Sequence, residues 1–413
     1  MAAPLPRLRH DLDIMPSPLD GQPGLLIRDP MRYSTFTLVV PPALIPGLVC
    51  FDGRQDEADL RATLARATGR VTVAEAARGM VAALSDAGFL DDARFAALRD
   101  TRAAELGALA ERPAAHAGSA YPDRPSPLTR TLRGYFDGAQ PGPGDGGDAP
   151  GQPPPFAIAA PHVSPEGGWK SYVQAYQRLP PAAGDRVFVI LATSHYGAPD
   201  RYGLTRKPFA TPFGRAVTDT ALVDALAAAA PGAVSFDEPA AFVEHAAEFQ
   251  VVFLQHLYGP DVRIVPVLCG AFAGGPRARR RPETNPRVAQ FIGALGELAA
   301  RDPRLTFVLG VDFAHVGLRY GDGAAARADV GDAVDVARRD RERMARIAAG
   351  DADGFWDLVT ERGDDDLKWC GTSPLYTFLR AVPGVRGRVH GYEQWNIDPS
   401  SIVSFGALSF SRN

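Results

Sequence analysis

The sequence predicts an α/β fold with a mixed, mostly parallel central sheet and helices on both faces, preceded by a small helical domain. From residue 155 onward, short strand-like runs alternate with longer segments of helical periodicity, which is typical of βαβ units. The strand-like runs are almost entirely apolar, as in residues 186–192 and 307–311. Such runs favour strands that are covered on both faces.

The same pattern divides the chain into three regions. Residues 1–30 are proline-rich and are predicted to be disordered. Residues 31–112 form the small domain, and residues 113–413 form the α/β domain with a Gly/Pro/Asp-rich loop at 138–155. Apolar residues at helical spacing predict helices in the small domain at 57–68, 72–87 and 91–109. Strands of the larger domain are predicted at 156–160, 186–192, 262–268, 307–311, 385–392 and 401–410. Its helices are predicted at 170–178, 219–230, 244–257, 286–301, 325–349, 354–361 and 373–381.

The small domain resembles, through residues 69–75 (GRVTVAE) and 84–90 (LSDAGFL), winged-helix or PqqD-like peptide-binding domains. That resemblance implies a possible protein partner for this domain. It lacks a Lys/Arg-rich recognition helix, so DNA binding is not expected.

Composition limits the classes of partner. The 413 residues carry a net charge of −4, which creates no strong field toward nucleic acid or an anionic membrane. No apolar run approaches the ~20 residues that span a bilayer, and residues 1–16 lack a signal-peptide core, so we expect a cytoplasmic protein. Cys50, Cys269 and Cys370 are odd in number and far apart, which argues against a disulfide framework.

Side chains that can bind metals follow three of the predicted strands. His162 follows the strand at 156–160, His195 follows the next strand, and Asp312 and His315 follow the strand at 307–311. In an open α/β sheet, ligands bind outside the carboxyl ends of the strands. A single histidine of this kind is more often structural, but three of the chain's eight histidines directly follow strands. The pattern therefore predicts one site at one edge of the sheet.

Three further side chains are candidates for the same site. Cys370 directly precedes a predicted helix that begins near Ser373, and a helix N-terminus lowers the pKa of a nearby thiol. Glu244 and His245 open another helix. Imidazole with thiolate or carboxylate around an open position suits Fe(II), Cu or Zn. The same groups could instead form a Cys/His nucleophilic pair.

A series of short motifs, in order along residues 114–413, resembles the Memo family, also known in bacteria as AmmeMemoRadiSam system protein B. The motifs are 117–122 (AGSAYP), 160–162 (APH), 193–195 (TSH), 244–250 (EHAAEFQ), 264–268 (IVPVL), 312–315 (DFAH) and 370–374 (CGTSP). They resemble the family's AGSWYP, APHAG, PSHH, EHSxExQ, DFCH and CGxxP segments and the apolar strand between them.

The resemblance implies a fold similar to class III extradiol dioxygenases, which carry a non-haem iron at the sheet edge. Carried across position by position, it implies that His162, His195 and Cys370 are the metal ligands. The cofactor would be Fe(II) or Cu, since thiolate favours a soft or borderline ion.

The resemblance also assigns four candidate catalytic residues around the metal. Asp312 and His315 would orient the ligands or move protons. Glu244 and His245 would line the mouth of the pocket. The chain departs from the family's motifs at Val163, Tyr196 and Ala314, among other positions, which changes the rim of the pocket without removing a proposed ligand.

Three kinds of function fit these residues. The first is a metal-dependent redox or dioxygenase-like protein acting on a small molecule. The second is a non-enzymatic module that binds a peptide or small ligand in the same pocket and recruits a protein partner through the small domain. The third is a metal-free hydrolase or transferase with Cys370 as nucleophile and His315 or His195 as base.

Overall fold

The protein folds into two compact units, Met1–Leu109 and Ala110–Asn413, which divide close to the predicted boundary at 112/113. The computed structural model describes residues 3–17, 19, 21–70, 72–139, 154–273, 280–363 and 365–412. Most of the predicted loop at 138–155 lies outside these described residues. None of the helices within them combines the length and apolar character that crossing a bilayer requires.

The first unit combines a three-stranded sheet with three helices. Its antiparallel strands pair in the order β1 (Asp13–Pro16), β2 (Leu25–Arg28) and β3 (Thr37–Val40). Its helices are α1 (Glu57–Thr68), α2 (Ala74–Asp86) and α3 (Ala93–Ala108), all close to the predicted positions.

The prediction that residues 1–30 are disordered is wrong for the described part of that segment. Strand β2 places Ile27 in the core of the unit at 0% exposure. Arg9, also buried, lies 3.1 Å from the Asp29 carboxylate and donates a hydrogen bond to the carbonyl of Gly88. These partners are distant in sequence, and the strands are too short for local periodicity to reveal them.

The second unit contains the α/β fold. Its strands are β4 (Ala157–Ala160), β5 (Val187–Thr193), β6 (Tyr202–Leu204), β7 (Phe209–Thr211), β8 (Gly214–Thr218), β9 (Val234–Ser235), β10 (Arg263–Cys269), β11 (Leu305–Gly310), β12 (His315–Gly317), β13 (Arg386–Asp398) and β14 (Ser401–Ser411). Its helices are α4 (Pro125–Gly138), α5 (Pro165–Tyr176), α6 (Thr220–Ala229), α7 (Glu238–Val243), α8 (His245–Tyr258), α9 (Pro286–Arg301), α10 (Asp332–Ala348), α11 (Ala352–Thr360) and α12 (Thr372–Ala381).

The sheet of the second unit is mixed, with a parallel centre. Its main path runs β12-β14-β4-β11-β5-β10-β6-β9. Strands β4, β11, β5 and β10 are neighbours and all parallel, whereas β14 joins β4 antiparallel and forms a long hairpin with β13. The predicted fold class is confirmed.

Alternation along the central strands builds a core on each face of the sheet. In β5, Val187, Val189 and Leu191 pack into one core and Phe188, Ile190 and Ala192 into the other, all at 0% exposure. The first core includes apolar side chains of α6, α9, α10, α11 and α12. The second includes side chains of α4, α5 and α8. Helices on both faces explain why these strands are almost entirely apolar.

Candidate metal centre

Three adjacent parallel strands bring the predicted side chains to one edge of the sheet. His162 follows β4, Asp312 follows β11, and His195 follows β5, and these strands are consecutive in the order β4-β11-β5. The backbone N–H of His162 donates to Asp312 Oδ1 at 2.9 Å, which joins two strand ends directly. The topology therefore brings these three strand ends together.

Three imidazoles form a compact cluster at this edge. One nitrogen from each of His162, His195 and His245 lies within 4.8 Å of the others. The ring centroids are 5.1 Å apart for His162 and His195, 5.3 Å for His162 and His245, and 4.9 Å for His195 and His245. Nitrogen atoms at this mutual separation could hold one metal ion between them.

The hydrogen bonds of the cluster orient the rings for this task. His162 Nδ1 lies 3.0 Å from the carbonyl oxygen of Gly310, and His195 Nδ1 lies 2.9 Å from Glu244 Oε1. His245 Nδ1 lies 3.4 Å from the same carboxylate oxygen. In a neutral imidazole, a proton donated from Nδ1 leaves the lone pair on Nε2. For His162 and His195, these hydrogen bonds thus favour the neutral tautomer in which Nε2 can bind a metal.

The carboxylate of Glu244 contacts the imidazoles of His195 and His245. It caps the N-terminus of α8, is 1% exposed, and accepts the backbone N–H of His195 at 2.7 Å. Burial alone would raise the pKa of Glu244, but His195 and His245 beside it hold that pKa well below its usual range. The family resemblance implied that Glu244 lines the mouth of the pocket, whereas the structure buries its carboxylate against His195 and His245.

Cys370 contacts the imidazole cluster at His162. Its Sγ is 3.3 Å from His162 Nε2 and 3.6 Å from the carbonyl oxygen of Asp312, just before α12 begins at Thr372. Burial opposes ionisation, yet the positive charges of His162 and His315 keep the pKa of the Cys370 thiol well below its ordinary value. This environment favours the thiolate form of a sulfur donor beside the imidazole cluster.

The remaining predicted residues differ in their distance from this cluster. Asp312 is 2% exposed, its Oδ2 lies 3.5 Å from His162 Nε2, and burial raises its pKa. Burial disfavours the charged imidazole of His162, but Asp312 and Cys370 raise its pKa to about 9. His315 Nδ1 contacts the carbonyl oxygen of Phe313 at 3.0 Å, and its ring packs edge-on against Tyr320.

A buried ion pair that the sequence analysis did not single out holds the start of α8. Arg112 Nη1 lies 2.6 Å from Glu248 Oε2, with both side chains at most 2% exposed, and Arg112 Nη2 donates to the carbonyl of Glu244 at 2.8 Å. Glu248 also accepts the Tyr121 hydroxyl at 2.5 Å and the backbone N–H of His116 at 2.9 Å. The motif at 244–250 contained the only sequence signal for this role.

The sequence profile of Memo-like proteins matches residues 112–409 of this chain. The chain belongs to the Memo family. The match begins at Arg112, the residue whose guanidinium holds the start of α8, and it covers the second unit almost entirely.

Relatives in distant organisms agree with this assignment. The chain is 30% identical over 246 residues to a MEMO1 family protein of Thermus thermophilus, a match that covers 58% of this chain and 65% of that protein. It is 24% identical over 389 residues to a MEMO1 family protein of Aquifex aeolicus, covering 93% of this chain and 95% of the relative. The memo-1 homolog of Caenorhabditis elegans is 26% identical over 278 residues, 67% of this chain and 72% of the relative.

In this Memo protein, the three residues whose nitrogen atoms cluster are not the three residues predicted to be metal ligands. The sequence predicted His162, His195 and Cys370 as ligands and His245 as a residue of the mouth. The structure brings all four side chains together, but the three mutually close donor atoms belong to His162, His195 and His245. The assignment of Cys370 as a ligand, and of Asp312, His315, Glu244 and His245 as catalytic residues, remains a prediction.

Changing Glu244 to glutamine tests whether its carboxylate orients the imidazoles of His195 and His245. The amide keeps the shape but loses the charge and turns one acceptor oxygen into a donor that faces an imidazole N–H. We expect metal affinity to fall by about 10–100-fold, as is typical when the partner of a ligating histidine is lost. Competition with a chelator measures the change. Glu238→Gln, on the neighbouring helix α7, is the matched control, and equal affinities for the two variants would contradict the role assigned to Glu244.

The reactivity of Cys370 in metal-free protein should depend weakly on pH. Because its pKa is well below the ordinary value, we expect the thiolate to be present at neutral pH and a rise to pH 9 to add little thiolate. We expect His162→Gln to raise the pKa and make iodoacetamide alkylation climb steeply over that range. Cys50 and Cys269 are buried and serve as internal controls in peptide mapping. A steep profile in the unaltered protein would count against the thiolate.

Proposed function

We propose that this Memo protein binds one Fe(II) or Cu ion at the imidazole cluster and uses it in a redox reaction on a small molecule. The observation that carries the proposal is the cluster of His162, His195 and His245, in which one nitrogen of each ring lies within 4.8 Å of the others. His162 and His195 each direct Nδ1 to a hydrogen-bond acceptor, which leaves their Nε2 atoms as metal-binding donors.

The donor set fits these metals. Imidazole suits iron, copper and zinc, and a neighbouring thiolate favours softer or borderline ions over Mg²⁺ or Ca²⁺. Cys370 Sγ lies 3.3 Å from His162 Nε2, near enough to bind the metal or to remain beside it. The donor set would then be either three imidazoles or two imidazoles with a thiolate. When bound, such an ion would exchange electrons with a substrate or O₂ at an open position.

The protein's own groups would prepare the site for that chemistry. Glu244 Oε1 lies 2.9 Å from His195 Nδ1 and 3.4 Å from His245 Nδ1, so it can orient both rings. Asp312, whose pKa is raised by burial, is suited to hold or release a proton at Oδ2 next to His162. Burial of His162 and Asp312, at 1% and 2% exposure, limits the access of water to this side of the cluster.

Anaerobic reconstitution tests the proposal. The full chain is loaded with Fe(II) or Cu(I), passed over a desalting column and analysed for metal, and oxygen uptake is then followed with an electrode in the presence of ascorbate. We expect about one metal per chain and oxygen uptake above that of metal-free protein. A chain that retains no Fe or Cu would contradict metal binding, and a loaded chain without redox turnover would contradict the oxidoreductase role alone.

The second candidate is a binding module, favoured by the cavity of about 400 Å³ beside the cluster. In that function the cavity holds a peptide or small ligand without turnover, and the first unit recruits a protein partner. Strands β1 and β3 are the two edges of the first unit's sheet, and Phe36 next to β3 is 55% exposed. A pull-down whose yield survives loss of His162 and His195 but not of Phe36 would support it.

A further inference from the structure

A cavity of about 400 Å³ opens beside the imidazole cluster, at the carboxyl ends of β5 and β10. His195 and Cys370 form one part of its lining, and the N-terminal residues of α12 and one face of α11 form other parts. Its volume lies in the range of small-molecule sites, which is about 300–1,000 Å³. A ligand in this cavity would contact the two side chains that also border the proposed metal.

The walls of the cavity are mainly aromatic and apolar. They include Phe272, Trp356, Val359 and Trp369. Trp369 is held in place because its ring stacks on Phe313 at 4.2 Å and its indole N–H donates to Asp340 at 2.7 Å. Rings fixed in this way form a surface that needs no rearrangement to receive a flat ligand.

The charged residues of the lining are already paired. Asp365 lies 2.8 Å from the buried guanidinium of Arg343. Lys368 lies 2.6 Å from Asp322. An anionic ligand would therefore have to compete for a cation that is already engaged. Burying a charge without a partner is costly, so the cavity favours a neutral ligand.

The hydroxyl groups of the lining favour a ligand that donates hydrogen bonds. Thr193, Thr372 and Ser373 donate their protons to backbone carbonyls at 3.1, 3.0 and 2.7 Å. Their remaining capacity is as acceptors. In the same wall, the indole N–H of Trp356 has no hydrogen-bond partner among the residues that the structure describes, so a polar group on the ligand would also have a donor nearby.

We propose that this cavity binds a neutral, ring-containing small molecule that carries an O–H or N–H group, with one end against Cys370 and His195. The assignment of this molecule as a substrate rests on the proposed metal-dependent function. Its binding does not, because the walls, the paired charges and the hydroxyl acceptors belong to the protein itself.

A matched pair of fluorescent probes tests the inference. N-phenyl-1-naphthylamine is neutral, carries an N–H and has three rings, and 8-anilino-1-naphthalenesulfonate adds a negative charge to the same skeleton. Trp356 and Trp369 line the cavity, so energy transfer from tryptophan reports binding there. We expect the neutral probe to bind the full chain at least about tenfold more tightly than the sulfonate.

Variants locate the bound probe. Phe272→Ala removes a half-buried wall and should raise the Kd of the neutral probe about tenfold. Ala271→Phe, at an exposed position of the lining, narrows the cavity and should also weaken binding if Phe272→Ala fails to fold. Phe136→Ala, at a half-buried position on α4, is the control and should leave the Kd unchanged.

The possible results separate this inference from the proposed function. Equal affinity for both probes, or equal effects of Phe272→Ala and Phe136→Ala, would overturn the inference. Loss of probe binding in Phe272→Ala with metal content unchanged supports it. A chain that binds the probe as expected but retains no Fe or Cu supports the ligand cavity and overturns the metal-dependent function.

Discussion

Replacing His162 by alanine is expected to abolish stoichiometric metal binding. The change removes one of three mutually close imidazole nitrogens and the ring that contacts both Cys370 and Asp312. Loss of a group that merely orients a ligand costs about 10–100-fold in affinity, so loss of the ligand itself should exceed that range. Metal analysis after anaerobic dialysis against a competing chelator measures the effect.

Two further variants, a second ligand variant and a control, make that result interpretable. His195→Ala should have the same effect, and the 28% exposure of the His195 side chain makes it less damaging to the fold than loss of the buried His162. His256→Ala changes another histidine on helix α8 and should leave metal content intact. If all three variants retain metal equally, the imidazole cluster is not the binding site.

Among the substitutions considered, Glu248→Ala is expected to lower the free energy of unfolding most. The change leaves the guanidinium of Arg112 buried without its 2.6 Å partner and removes the acceptor of Tyr121 and of the His116 backbone. Removing one partner of a buried ion pair typically costs about 3–5 kcal/mol. Urea unfolding of the full chain, followed by tryptophan fluorescence, measures the cost, since all four tryptophans lie in the second unit.

A double variant and a surface control complete this test. Arg112→Met with Glu248→Leu removes both charges, so its loss should be smaller than the sum of the single losses. Glu297→Ala breaks an exposed pair with Arg301 on helix α9 and should have little effect. A cost for Glu248→Ala no greater than that for Glu297→Ala would mean that the buried network does not stabilise the unit.

The central sheet could be predicted from sequence because its strands are buried on both faces. An apolar run such as that of β5 has few alternative structures when helical segments flank it on both sides. The first unit's sheet could not be predicted in the same way. Strands β1 and β2 are four residues each, and they are held by pairing with each other and by the ion pair between Arg9 and Asp29.

The candidate site was predictable where the fold class alone decides position. Residues that follow adjacent parallel strands must lie at one edge, and this brought His162, Asp312 and His195 together. The contact of His245 with His195 depends instead on how α8 packs. The two rings stack because α8 begins at His245, directly after the extended N-cap residue Glu244. The burial of Glu244 and the role of Arg112 could not be predicted from sequence, because a buried charge is recognisable only once its partner is known.

Crystallography with anomalous data collected at the iron and copper edges tests the metal centre most directly. Crystals of the full chain, loaded anaerobically with Fe(II) or Cu(I), should give one anomalous peak among the Nε2 atoms of His162, His195 and His245. Continuous density between that peak and Cys370 Sγ would show that the cysteine is a ligand, and its absence would show that it is not. A peak elsewhere on the chain, or none in crystals proven to contain metal, would contradict the account.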